Sequence, residues 1–107
     1  MRANAVVREL VGTFGGTLVA VMGNAKNTST VRRWMSGKEQ PPEIDRLRVA
    51  LEVVLYMRQV EGEDVINAWF RGLNHMLGEA AAIVIADEPP ELARNAVMGA
   101  ASAFLAH

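Results

Sequence analysis

The side chains best placed for chemistry lie in one short run, Thr28-Ser29-Thr30-Val31-Arg32-Arg33-Trp34-Met35-Ser36-Gly37. Hydroxyls stand at its start, two adjacent arginines in its middle and a glycine at its end. At helical spacing Val31 and Trp34 share one face, with Met35 beside them, and Ser29, Arg32 and Arg33 fall on the other. Such a helix anchors one side in a core and offers donors on the other to phosphates and bases, as a DNA recognition helix does. An ordinary amphipathic helix with solvated arginines would carry the same pattern. In the DNA-reading case Lys26 and Lys38 contact phosphate, and Asn27, Ser29, Thr30, Arg32 and Arg33 face the groove. Arginine is suited to guanine and asparagine to adenine. Trp34 belongs to the core, because duplex recognition has little use for an indole.

Other chemistries lack their residues. The chain has no cysteine, which removes disulfides, thiolate nucleophiles and cysteine-zinc sites. His75 and His107 are isolated, with no carboxylates at ligand spacing. Ser29, Ser36 and Ser102 have no neighbouring histidine to act as base. Gly12, Gly15 and Gly16 fit neither nucleotide-binding fingerprint, and Glu61, Glu63 and Asp64 read as a solvated helix start. The expectation is a protein that is not an enzyme and uses no metal or cofactor.

Charge is segregated. The net charge of −1 over 107 residues argues against a surface that is basic all round. Residues 26–48 nonetheless carry a net charge of +3, and residues 49–107 carry −5. A local basic patch on an acidic chain suits a confined DNA contact, or a chain whose acidic half meets a different partner. The start, Met1 to Glu9, has no apolar run of signal-peptide length, and no stretch approaches the roughly 20 apolar residues of a membrane span. A soluble, cytoplasmic protein without a membrane partner is expected.

The elements that would position these residues are helices. Val6, Val7, Leu10 and Val11 give a two-turn face, and Leu18 to Met22 form a second helix that Thr17 can cap and Gly23-Asn24 closes. Asn27 or Thr28 caps the helix carrying the arginines. Pro41 and Pro42 interrupt, and a long helix runs from about Glu43 to Val60, apolar on two sides. Glu63 or Asp64 starts a helix bearing Val65, Ala68, Trp69 and Phe70. Trp69 and Phe70 point about 100° apart, so one can be buried while its neighbour meets a partner. Asn74 caps a helix at Leu77 or contacts a partner. The last helix, opened by Pro89 and Pro90, has Leu92, Ala96, Val97, Ala100, Ala103 and Phe104 as its core face. No hairpin signal is present. The expected fold is all-α, a compact multi-helix domain with an N-terminal unit at residues 1–41 and a helical unit at residues 42–107.

Leu18-Val19-Ala20 leading to Gly23, then Thr30 to Trp34, Gly37 and Pro41, resembles the helix-turn-helix of Xre-type regulators. Ala68-Trp69-Phe70, Asn74, Leu77-Gly78 and the run Val97 to Leu105 resemble the toxin-binding domain of Xre/MbcA/ParS antitoxins. The chain departs from the family in a longer stretch between Gly23 and Trp34, and in Ala81 where the family usually has proline. The resemblance implies an antitoxin that binds a RES-domain toxin, an enzyme that destroys NAD, and that represses its own promoter by binding operator DNA. It places toxin contacts at Trp69, Phe70, Asn74, Leu77, Gly78, Arg94, Phe104 and His107. Because dimeric helix-turn-helix proteins read two half-sites, a homodimer is expected. Its candidate interfaces are the two-sided long helix and the small-residue tail. Two other readings compete: a stand-alone repressor, phage types included, whose C-terminal half only dimerises, and a protein-interaction module whose DNA-binding motif has decayed.

Overall fold

Val6, Val7 and Leu10 have no exposed surface, so the helix that carries them, α1 (Ala3–Phe14), is covered on more than one side. It packs against α2 (Gly16–Met22), α3 (Thr28–Ser36), α4 (Ile44–Met57) and α5 (Glu63–Arg71). A two-residue antiparallel hairpin follows, β1 (Leu73–Asn74) with β2 (Glu79–Ala80), and then α6 (Ala81–Asp87) and α7 (Pro90–Leu105). The computed structural model describes residues 1–106, and the toxin contact expected at His107 lies outside them. Apart from the hairpin, the described residues fold as an all-α, multi-helix domain. One core joins the segments on either side of Pro41: Val6, Leu10, Val19 and Trp34 belong to the same buried cluster as Leu47, Phe70, Ile85 and Val97. The Cα radius of gyration, 12.8 Å, matches the roughly 13 Å of one folded unit of this length.

The ends of the helices follow local rules. Gly15, at φ +84°, separates α1 from α2 in a conformation open to glycine. The connection from α2 to α3 closes through Asn24 in the left-handed region (φ 57°) and a wide Ala25 N–H to Ala20 carbonyl bond of 2.8 Å. Asn27 caps α3, its Oδ1 accepting from the Thr30 N–H at 3.1 Å, and Gly37 ends α3 at φ +80°.

Arginines from elsewhere in the chain finish what local sequence leaves open. The last carbonyls of a helix have no partner within it and carry partial negative charge. Arg71 Nη2 donates to the Phe14 carbonyl at the end of α1 (2.7 Å), and Arg8 Nε to the Met35 carbonyl near the end of α3 (2.9 Å). Arg46 Nη1 donates to the Ile85 carbonyl of α6 (2.9 Å) and to the Glu88 carbonyl just beyond it. Asn24 Nδ2 reaches the Ala86 carbonyl of the same helix (3.2 Å). Arg58 joins three elements: it contacts Glu9 (3.0 Å) and Thr13 (3.0 Å) of α1 and Glu63 (2.7 Å) of α5. The Glu63 hydrogen bond leads in holding this guanidinium's pKa above its usual value, against the opposing effect of burial.

The expectations for the core face of α7, for residues 73–80 and for an Asn74 helix cap need correction, and the facing of α5 and α4 is now defined. The core face of α7 is Ala93, Val97, Ala100 and Ala101, whereas Leu92, Ala96 and Phe104 are exposed and Ala103 half-buried. On α5 the buried residues are Ile66 and Phe70, and Val65 and Ala68 are exposed. In both helices a second apolar stripe faces outward, and periodicity alone does not choose between two stripes. On α4, Leu55 is exposed. A hairpin occupies residues 73–80, where none was expected. Asn74 therefore caps no helix. Its Oδ1 accepts from the N–H groups of Met76 (3.0 Å) and Leu77 (3.2 Å) in a turn that Gly78 closes at φ +71°.

Gly23 shows how α2 and α3 are held. Its own φ of −91° needs no glycine, but a Cβ there would stand 2.8 Å from Trp34 Cζ3 and 3.0 Å from Cη2. Trp34 is fully buried, so its ring has little room to retreat. Gly23→Ala is expected to destabilise the fold by about 1–3 kcal/mol, the usual range for overpacking. Urea unfolding should show a lowered midpoint at unchanged slope, and a wild-type midpoint would contradict this account.

Candidate functional sites: a cationic helix and an apolar groove

The outward face of α3 gathers most of the residues expected to contact DNA. Arg32 and Arg33 are exposed, as are Lys26, Asn27 and Lys38 around them, while Ser29 and Thr30 are half-buried. Val31 and Trp34, by contrast, are buried. Each arginine rests on a hydroxyl one turn earlier: Arg32 Nη2 on Ser29 Oγ (3.0 Å) and Arg33 Nη2 on Thr30 Oγ1 (3.1 Å). Arg33 also pairs with Glu39 at 3.5 Å. Both side chains of that pair are about half exposed, so it is weak and yields readily to a stronger anion. Lys26, Arg32 and Lys38 have no carboxylate partner among the described residues.

Asn27 is placed differently from the expectation. Its Oδ1 is engaged by both the N–H and the hydroxyl of Thr30 (3.1 and 3.3 Å). The paired contact of asparagine with adenine needs that oxygen as well as the amide N–H. Asn27 thus holds the start of α3 and has only its NH2 group for a ligand. Of the basic residues in the N-terminal half, Arg8 and Arg46 donate to main-chain carbonyls of other elements, whereas Arg32 and Arg33 contact hydroxyls of their own helix.

A second surface lies where α5, the hairpin and the end of α7 meet. Trp69 is half-buried, edge-on to buried Phe70 (centroids 5.5 Å) and tilted against Phe104 (6.1 Å). On one side Val65, Ala68, Leu73 and Asn74 complete a groove of about 380 Å³ with these rings. On the other, Met76, Ala100 and Ala103 line a continuation of about 210 Å³ that shares Trp69, Asn74 and Phe104. Beyond the hairpin tip Met76, Leu77, Val84 and Leu92 border a third hollow. Leu73 and Met76 are each 67% exposed and Leu92 59%. Large apolar side chains left in water at this density mark a contact surface.

The expected toxin contacts divide accordingly. Trp69, Asn74 and Phe104 are brought together around the groove, and Leu77 borders only the third hollow. Phe70 is not available, because it is fully buried against Phe14 (centroids 4.6 Å). Gly78 shapes the turn. Arg94 pairs with Glu52 of α4, away from the groove. Val65 of α5, Leu92 of α7 and Leu73 and Met76 of the hairpin are further exposed apolar residues here, which the sequence did not mark as contacts. Among the described residues no group of three or more histidines, carboxylates or cysteines is placed to hold a metal ion, and no helix is long and apolar enough to cross a membrane.

Compared with family models, curated proteins and solved structures, the chain matches none.

Asn27→Asp separates the cap from the ligand contact. Aspartate caps as well as asparagine, so stability should stay within about 0.5 kcal/mol of wild type. The same change puts a carboxylate beside Arg32 and Arg33 and removes the amide donor. Any DNA affinity should therefore fall at unchanged folding. Thermal melts and a binding titration run side by side check both halves.

Proposed function

We propose that this chain is a non-enzymatic antitoxin of the Xre/MbcA/ParS type, which binds operator DNA through α3 and a RES-domain toxin through the groove around Trp69 and Phe104. The observation that carries this reading is the presence of two unlike contact surfaces on one small fold: a cationic helix face and an uncharged aromatic groove. The resemblance of the sequence on either side of Pro41 supplies the names of the two partners. α3 presents Arg32 and Arg33, flanked by Lys26 and Lys38, to a major groove, with its buried Trp34 and Val31 fixing its orientation. The groove is apolar with Asn74 as a polar edge, a surface suited to a helix or turn of a folded partner. Reading two half-sites calls for a homodimer, and the cell compartment is the cytoplasm, where the operator lies.

Two variants separate the surfaces. Arg32→Ala/Arg33→Ala should abolish retardation of the DNA upstream of the chain's own gene at fixed salt, while retaining the co-encoded RES-domain protein in co-purification. Leu73→Asp/Met76→Asp should do the reverse, since both residues are surface-exposed and outside the core. Unchanged DNA affinity of the arginine variant sinks the DNA half. Failure of every co-encoded partner to bind sinks the toxin half and leaves a stand-alone repressor. Light scattering should give a mass above the monomer at micromolar concentration, and a monomer at all concentrations would contradict the dimer.

A further inference from the structure

The positive charge along α3 continues past Lys38 into a feature that the DNA reading did not use. A polar cleft of about 590 Å³ opens beside the C-terminal end of α3, between the beginnings of α1 and α4. Arg2, Asn4, Ser36, Gln40 and Arg48 form its polar walls, and Ile44 adds an apolar one. The cleft is lined by no carboxylate. Asp45 stands three residues before Arg48 on α4 but outside the lining. Arg2 is exposed and has no side-chain hydrogen bond or ion pair among the described residues. Arg48 spends one N–H on the Met1 carbonyl (2.8 Å) and keeps four others.

Like Arg32, Arg2 and Arg48 have no carboxylate partner among the described residues. Arg8, Arg46 and Arg71 satisfy helix-end carbonyls, and Arg58 and Arg94 pair with glutamates. Two guanidinium groups that line one hollow without an acid repel one another, and an anion between them relieves that repulsion. The side-chain amides of Asn4 and Gln40 add further N–H donors, while the Ser36 hydroxyl is already given to the Arg33 carbonyl. Guanidinium forks match the oxygens of a tetrahedral anion in two-point contact.

We propose that this cleft binds a phosphate group, with Arg2 and Arg48 as its charged donors. The source of that phosphate rests on the DNA reading above: it is a backbone phosphate beside the groove that α3 enters. The cleft abuts Ser36 and Gly37 at the end of α3, so it extends the same cationic band. The contact carries no base information.

The test uses the full chain, the DNA upstream of its own gene and a shuffled duplex of equal length. Arg2→Gln/Arg48→Gln should weaken binding to both duplexes by a similar factor. The slope of log affinity against log salt should fall by about one to two, the loss expected for one or two phosphate contacts. Arg2→Lys/Arg48→Lys should keep most of the slope, which separates charge from folding. A second arm follows the melting temperature with inorganic phosphate as the ligand. If wild type binds no duplex, the DNA reading fails. Phosphate that stabilises wild type but not the glutamine variant then assigns the cleft to a free anion and sustains the site. A folded glutamine variant that matches wild type in both salt slope and phosphate response overturns the proposal.

Discussion

The contact between Gly23 and the indole of Trp34 is the constraint on which the arrangement depends. α2 is short, and helices of this length owe their stability to packing rather than to propensity. Trp34 occupies the volume that a side chain at Gly23 would take, so the end of α2 lies directly on α3. That contact sets the depth at which α3 is held, and with it which residues of α3 reach solvent. Arg32 and Arg33 are outward because Val31 and Trp34 are inward. The cationic face is thus a consequence of core packing as much as of its own residues.

Much of this was legible in the sequence, and the parts that were not share a physical cause. The end of α2, the Asn27 cap and the Gly37 stop follow from local rules that act over one or two turns, whereas α2 starts at Gly16 with Gly15 rather than Thr17 at its N-cap. Trp34 as a core residue was readable for the same reason. The facing of α5 and α7 was not, because each carries two apolar stripes and the core takes only one. The hairpin at residues 73–80 was hidden because its strands are two residues long, too short for an alternating pattern. Of the groove's residues Phe104 was expected on the core face of α7 as well as at a partner contact, and it is exposed. Charge was legible as a sum over segments but not as availability. Arg8 and Arg46 raise the positive count of the N-terminal half, yet both are committed to carbonyls far away in sequence.

The two contact surfaces differ in how they are maintained. The α3 face depends on side chains that are individually weakly held: hydroxyl contacts one turn away and one exposed ion pair. Breaking those contacts to meet a ligand would cost little. The groove is set by rigid parts, with Trp69 wedged between buried Phe70 and Phe104 and the hairpin pinned by the Asn74 turn. A charged ligand is met by adaptable donors, and an apolar one by a surface already shaped.

The shared core also bears on how such chains are inherited. α1 lies in the first part of the sequence but packs on α3, α4 and α5 alike. Arg46 and Asn24 fasten the end of α6 to elements on the opposite side of Pro41 or close to it. A chimaera joined at Pro41 would set Val6, Leu10 and Phe14 against residues they never evolved with. The two halves are therefore poor units of recombination despite the visible proline break between them. New pairings of a cationic helix with a different groove would have to arise by point substitution on the outward stripes of α3, α5 and α7, where the interior does not register the change.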